Sequence, residues 1–136
     1  MKLRFAVPCE FAREGMNKKA DLFGVFDTWQ MADPTTEVAP PFMLFAMFER
    51  EEGEAFPSSI TVSVQTYLSD SEQMAGGAGP LEISMPAEGG ITLVMQVTDF
   101  RPKQYGRFTM KIVLGDQSYP CPDLYVKPPP AQVQNG

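Results

Sequence analysis

Apolar and polar residues alternate with a period of two along most of the chain, a pattern typical of strands that bury one face. In one such segment Ile60, Val62 and Val64 alternate with Thr61 and Ser63. Strand-length segments with this alternation, or with a short continuous apolar run, lie at residues 3–9, 20–31, 42–49, 59–68, 81–85, 91–97, 106–115 and 124–126. We therefore predict an all-β fold, an immunoglobulin-like β-sandwich of about seven to eight antiparallel strands.

Turn-forming residues separate these segments. The chain contains 11 glycines and 13 prolines, and most of them lie in or beside the breaks. Residues 1–126 are predicted to form a single domain. Residues 127–136, KPPPAQVQNG, have no apolar period and predict a flexible, disordered or polyproline tail. The glycine-rich residues 75–80, AGGAGP, predict a mobile linker between two strands.

The net charge limits the classes of partner. The 136 residues carry a formal net charge of −6 and are 43% hydrophobic, which suits a globular domain. An acidic chain lacks the excess of Lys and Arg that binds nucleic-acid polymers and anionic membranes, so neither is a predicted partner. The first apolar run ends at Cys9, before a secretory signal would be complete, and no run is long enough to span a bilayer. These features predict a cytoplasmic protein.

The absence of histidine from the sequence limits the possible chemistry. It removes Ser-His-Asp and Cys-His nucleophilic sites, histidine-bound metals and imidazole bases. No glycine-rich phosphate loop with its Lys-Ser/Thr pair occurs. The acidic run from Glu49 to Glu54 lacks calcium-loop spacing and indicates a solvated turn. We predict no metal, no cofactor and no enzymatic activity, with a carboxylate-based hydrolase as the alternative that the sequence leaves open.

A basic segment, FRPKQYGRF at residues 100–108, stands out in the acidic chain. Its cations and its tyrosine could bind a small anionic ligand such as a nucleotide, with help from the only tryptophan. The candidate ligand-binding residues are Arg101, Lys103, Tyr105, Arg107 and Trp29. The structural alternative, which we favour, is a strand corner in which Tyr105 packs under the preceding loop and the charges are exposed at a turn.

The segment FMLFAMFE is apolar on both faces, so its second face must be covered. Met43, Phe45 and Met47 form that second face. The loop at residues 32–41, the tail or another subunit could cover it. We therefore predict an interaction module that binds a second copy of the chain or another protein, with these three residues at the interface.

Residues 20–31, ADLFGVFDTWQM, place one acid inside an apolar strand. Asp27 is either exposed at a bend or buried with partners such as Arg4 or Arg107, because unpaired burial of a carboxylate costs several kcal/mol. We interpret it as part of the fold rather than of a site. Cys9 and Cys121 match no metal or redox spacing and predict two small buried thiols, with a disulfide as the alternative.

The strings LRFAVPCEFA, GMNKKADLFGVFDTW and PPFMLFAMFE, followed later by YGRFTMKIVLGDQSYPCPDLYV, carry a resemblance to a known family. They resemble a family of small uncharacterised bacterial and phage β-sandwich domains, matched here at residues 9–10, 15, 24–27 and 41–48. The similarity covers most of residues 3–126. The chain departs from the usual closing hairpin at residues 104–108. The resemblance implies a β-sandwich and transfers no activity.

Overall fold

In the computed structural model, residues 1–14 and 20–130 are described, and they form eleven strands and no helix. The strands are β1 (Lys2–Glu14), β2 (Ala20–Val25), β3 (Thr28–Gln30), β4 (Phe42–Glu49), β5 (Ser59–Leu68), β6 (Met74–Ser84), β7 (Ile91–Val97), β8 (Asp99–Phe100), β9 (Gly106–Leu114), β10 (Gln117–Pro120) and β11 (Leu124–Lys127). This part of the chain accordingly contains no helix that is long and apolar enough to cross a membrane.

The strands are arranged in two sheets. One sheet has four strands in the order β2-β1-β4-β7, and the other has the order β3-β11-β9-β5-β6-β8, with β10 also paired to β9. Side chains from both sheets meet in one core, where Phe42 and Leu44 of β4 are buried together with Phe108 and Met110 of β9. The all-β fold predicted from the alternation is confirmed, with its strands in two sheets.

The chain changes sheets at Asp27, which divides the predicted strand at residues 20–31 into β2 and β3. Phe26 N–H still donates to the carbonyl oxygen of Pro8 in the four-stranded sheet (3.2 Å), whereas the Asp27 carbonyl accepts from Tyr125 N–H in the other sheet (2.8 Å). The Asp27 side chain is exposed and accepts a bond from the Thr28 hydroxyl at 2.8 Å. The acid is therefore part of a bend, as the first of the two interpretations expected.

The change of sheet also alters the strand directions. β3 runs parallel to β11, so the prediction of antiparallel strands is wrong for this pair. A strand that passes from one sheet to the other through a bend can join the second sheet beside a distant segment of the chain. The described residues form eleven strands, whereas about seven to eight were predicted. The number is higher because the bend at Asp27 divides one predicted strand, and because the short strands β8 and β10 show no alternation.

The glycine-rich segment at residues 75–80 is not a linker, and that prediction is wrong. It lies within β6, which pairs with β5 and β8. A Cβ atom at Gly76 would lie 1.6 Å from the carbonyl oxygen of Asp99, and one at Gly77 would lie 1.9 Å from that of Val64. The glycines therefore allow neighbouring backbones to approach β6 closely, which is a structural use of glycine within a strand.

The two ends of the chain differ from the prediction in detail. β1 continues to Glu14, well beyond the end of its apolar run at Cys9, because its second half pairs with β2. β11 ends at Lys127, one residue beyond the predicted domain boundary. Most of the predicted tail, residues 131–136, lies outside the described residues.

Candidate interaction surface

The side of the four-stranded sheet that points away from the core is mainly apolar on β1 and β4, whereas β7 adds Thr92 and Gln96 beside Val94. In the β1–β4 register, Phe5, Val7 and Cys9 lie opposite Met47, Phe45 and Met43, and residues directly opposite each other share one face. We define the outer face as these six residues with Val25 of β2 and Val94 of β7. Beyond Glu10 and Gly24, whose φ of +63° interrupts the alternation, Ala12 and Leu22 pack on this side.

Ring contacts support this assignment of the outer face. The rings of Phe5 and Phe45 meet edge to face with centroids 6.0 Å apart. The rings of Phe11 and Phe23, whose centroids lie 6.1 Å apart, are on the other side of the β1–β2 hairpin. Cys9, Ala12 and Phe45 form a small buried cluster that is separate from the main core, and Leu22 packs against it. The outer face therefore has a packed base of its own.

Much of this apolar surface is open to solvent. Of the ten large apolar side chains that are exposed in the described residues, four belong to the outer face. They are Phe5, Val25, Met47 and Val94. Large exposed apolar patches on a folded domain commonly mark a contact surface. No described segment covers them.

The three residues predicted at an interface all lie on the outer face, but they are not equally accessible. Phe45 is buried, Met43 is half-buried and Met47 is exposed. The loop at residues 32–41 does not cover them, because it packs elsewhere. Its Ala39 is buried in the main core and donates its N–H to the carbonyl oxygen of Phe100 at 2.9 Å.

Charged side chains lie toward one end of the outer face. There Arg4 Nε lies 3.6 Å from Glu49 Oε2, and Lys2 is opposite Glu49 in the strand register. Arg13 Nε donates to Asp21 Oδ2 at 3.1 Å on the other side of the β1–β2 hairpin, where the guanidinium lies 5.7 Å from the Phe23 ring centroid. The centre of the outer face thus carries neither a base nor an acid.

The arginines of the predicted anion-binding segment are already matched by acids. Arg101 Nε donates to Asp99 Oδ1 at 2.8 Å. Arg107 lies between two carboxylates, with Nη2 3.8 Å from Asp70 Oδ2 and Nε 3.9 Å from Asp123 Oδ2. These contacts reduce the positive charge available to an anionic ligand, so the structure gives no observation that favours such a site.

Of the other three predicted ligand-binding residues, Tyr105 and Trp29 make contacts within the fold, and Lys103 lies at an exposed corner. The Tyr105 hydroxyl donates to the carbonyl oxygen of Met31 at 2.7 Å, as expected for a tyrosine at a strand corner. Lys103 occupies the same corner at a φ of +65° and is exposed. Trp29 is only 7% exposed, and its ring centroid lies 5.3 Å from that of Phe100 in the core. The five residues do not converge on one pocket.

A small cleft of about 270 Å³ does border the edge of Trp29. It is lined by Glu10, Phe26, Thr28, Gln30, Pro40 and Pro41 as well. Among these lining residues Glu10 alone is charged, and a carboxylate there disfavours an anion.

The two cysteines are free and lie in different packing clusters. Burial raises the pKa of the Cys9 thiol above its ordinary value, and burial raises that of Cys121 to about 12. High thiol pKa values disfavour the reactive thiolate. Within residues 1–14 and 20–130, no three His, Cys, Asp or Glu side chains are grouped closely enough to hold a metal ion.

Comparison with known proteins adds no relative: no family model, no curated protein and no solved structure matches the chain. The assignment of function therefore rests on the geometry of the chain itself.

Sequence reasoning found β4 but missed most of the outer face. The signal was present in β1, where Phe5, Val7 and Cys9 alternate with other residues. What the alternation alone does not show is which face of each strand turns toward the core.

Proposed function

We propose that the protein is a non-catalytic, immunoglobulin-like β-sandwich that works as an interaction module, with the outer face as its contact surface. The observation that carries this proposal is the group of four exposed large apolar side chains on one face of the four-stranded sheet. A folded domain gains little from exposing such residues together, whereas a contact surface requires them.

The size of the apolar surface supports the proposal. An enclosed aromatic side chain buries about 150–250 Å², so the half-exposed Phe5 leaves roughly 100 Å² open to water. The exposed parts of Val25, Met47 and Val94 raise this to roughly 300 Å². Patches of roughly 300–600 Å² are the largest on typical monomers and are often functional.

The absence of histidine and the burial of the two thiols support a non-catalytic role, since no imidazole base is present and burial disfavours the reactive thiolate. The same two free thiols fit a cytoplasmic location, where cysteines stay reduced. The bend at Asp27 and the two sheets that share one core support a sandwich architecture.

The proposal is tested by measuring whether the outer face is open to an apolar dye in the full chain at low protein concentration. The wild type is expected to bind an anilinonaphthalene dye, which reports exposed apolar surface. A variant with Phe5→Ser and Val25→Ser is expected to bind much less. Both proteins should unfold in the same urea range, because these two side chains are 46% and 58% exposed.

The matched control replaces Met74 and Leu81 with serine, since both are similarly exposed but lie on β6 of the other sheet. Dye binding by this control should equal that of the wild type. A wild type that binds no dye would contradict the proposal, as would equal binding by the outer-face variant.

A further inference from the structure

We infer that β7 pairs edge to edge with β7 of a second copy of this chain, so that the two four-stranded sheets form one continuous sheet. The two β7 strands run antiparallel about a twofold axis at Val94. The second copy binds the edge of the sheet and not the outer face, so the inference goes beyond the proposed function and does not depend on it.

One edge of β7 is free. β7 is the last strand in the order β2-β1-β4-β7, and among the described residues it pairs with β4 alone. No backbone group in the described loops bonds to it. In an antiparallel pair, every second residue directs its N–H and C=O groups away from the neighbouring strand. These groups on the free edge of β7 are therefore available to another strand.

The exposure of the core-facing side chains agrees with an open edge. Ile91 and Leu93 of β7 are 9% and 8% exposed, whereas Leu44 and Ala46, which face the same core from β4, are 1% and 0% exposed. β4 has a neighbouring strand on both sides and β7 has one on a single side. Solvent thus reaches the core side chains of β7 from its free edge.

β7 lacks the features that normally protect the edge of a sheet. Proteins make their edge strands unsuitable for pairing with charged side chains, proline, bulges or a very short length. The seven residues of β7, ITLVMQV, include no charged residue, no proline and no glycine. Their register with β4 contains no shift. A regular, uncharged edge of this length is a template for another strand.

The other edges within the described residues are protected. β2, at the opposite edge of the same sheet, carries Asp21 and has Gly24 at a φ of +63°. β3 and β8, at the edges of the other sheet, have only three and two residues. β10 has four residues and ends at Pro120. β7 is therefore the edge of this fold that is best suited to pairing.

The sequence of β7 is complementary to itself on the side that faces the core. Antiparallel pairing centred on Val94 places Leu93 opposite Met95 of the second copy, and Ile91 opposite Val97 of the second copy. All four side chains are apolar and face the core in the single chain. Cross-strand apolar pairs stabilise a sheet, and a twofold interface requires a surface that matches itself.

The other side of β7 matches itself as well. Thr92 lies opposite Gln96 of the second copy, and these two polar side chains can form a hydrogen bond. Val94, which is 40% exposed in the single chain, lies opposite Val94 of the second copy. Although the chain has a net charge of −6, pairing of two β7 strands brings no like charges into opposition.

The pre-formed strand favours a second copy over a disordered peptide. A peptide could offer the same backbone groups, but it would lose conformational entropy when it became a strand. β7 is already a strand in each copy. An edge-to-edge pair is nevertheless a small interface, so we expect a weak dimer with a dissociation constant on the order of micromolar.

Sedimentation velocity of the full chain, from low micromolar to submillimolar concentration, tests the inference. We expect a wild-type dimer. Two charge variants provide the decisive comparison: Thr92→Lys with Gln96→Lys, and Thr92→Lys with Gln96→Glu. Because position 92 lies opposite position 96 of the second copy, the lysine–lysine variant brings like charges together twice, and the lysine–glutamate variant brings opposite charges together twice.

The lysine–lysine variant should have a dissociation constant at least about tenfold higher than that of the lysine–glutamate variant. Net charge acts in the opposite direction, since two added lysines reduce the negative charge of the chain. Both variants change the same two positions, and their thermal unfolding at low concentration should be similar. Phe5→Ser with Val25→Ser should dimerise like the wild type, because β4 separates β1 and β2 from β7.

The inference is overturned by a wild type that stays monomeric throughout the concentration range, or by equal dissociation constants for the two charge variants. It is also overturned by a dimer that Phe5→Ser with Val25→Ser abolishes, since that dimer would form through the outer face. A monomeric wild type that binds the apolar dye would remove the β7 pair and leave the proposed function intact.

Discussion

Replacing Gly76 with alanine is expected to disrupt the contact between β6 and β8. Gly76 has a φ of +127°, and a Cβ atom there would lie 1.6 Å from the carbonyl oxygen of Asp99. That oxygen would have to retreat by about 1.4 Å to reach the 3.0 Å below which real Cβ contacts are essentially never found. The retreat would displace Phe100, whose ring packs against Trp29 and Phe108 in the core.

Two costs add in this variant. The backbone conformation costs an alanine about 1–3 kcal/mol. Displacing the Phe100 ring approaches the roughly 3–5 kcal/mol of a phenylalanine truncation in a core. We expect Gly76→Ala to lower the free energy of unfolding by about 4 kcal/mol or more, out of the about 5–15 kcal/mol typical of a domain. Urea unfolding followed by the fluorescence of Trp29 measures the loss.

Gly106→Ala is the matched control. Gly106 has a similar φ of +138°, but nothing lies within 4 Å of a Cβ atom built there. This variant carries the backbone cost alone, and we expect a loss of about 1–3 kcal/mol. Equal losses in the two variants would refute the argument that β6 uses glycine for close approach of its neighbour.

Three further predictions follow from single sites. Trp29→Ala should lower the free energy of unfolding by about 3–5 kcal/mol in urea, since the indole is buried, and a loss below about 1 kcal/mol would contradict its place in the core. Cys121→Ala should reduce the decrease in the free energy of unfolding that the wild type shows as the pH rises above 9. Because burial raises the thiol pKa from 9.0 to about 12, the folded protein holds this proton more tightly. The stabilisation is complete below pH 9 and falls with rising pH by up to about 1.4 kcal/mol per unit, which urea unfolding at pH 8 and pH 10 measures. Asp27→Asn should change stability by less than about 0.5 kcal/mol, because the carboxylate is exposed; a loss above about 2 kcal/mol in the same assay would indicate a buried partner.

The alternation of apolar residues was sufficient to predict most strands, because a half-buried strand must alternate whatever its neighbours are. β5, β7 and β9 lie close to their predicted positions for this reason. The alternation could not reveal the change of sheet at Asp27. That bend depends on pairing with Tyr125, almost a hundred residues further along the chain.

The glycine segment shows a second limit of the sequence. A run such as AGGAGP has the composition of a linker, and only the neighbouring carbonyl groups of Val64 and Asp99 show why side chains are absent from β6. Composition reports the freedom of an isolated chain, whereas close approach of two backbones is a property of the folded sheet.

The candidate surface was predictable in part. A strand with two apolar faces pointed to Met43, Phe45 and Met47, and all three lie on the outer face. Their accessibility was not predictable, because Phe5 of the neighbouring strand packs against Phe45 while Met47 stays open. The predicted anion-binding residues could not be judged from the sequence either. Their cations are close together along the chain, but in the fold Arg101 lies beside Asp99 and Arg107 lies beside Asp123.

Methionine oxidation with and without an apolar dye tests the central claim most directly. Met47 lies on the outer face and is 39% exposed, while Met74 lies on β6 and is 54% exposed, so one chain contains both the probe and its reference. Dilute peroxide oxidises accessible methionines, and mass spectrometry reads each position separately. The account predicts that an excess of an anilinonaphthalene dye slows the oxidation of Met47 and leaves that of Met74 unchanged. Rates at Met47 that do not depend on the dye, or that slow equally at both methionines, would contradict it.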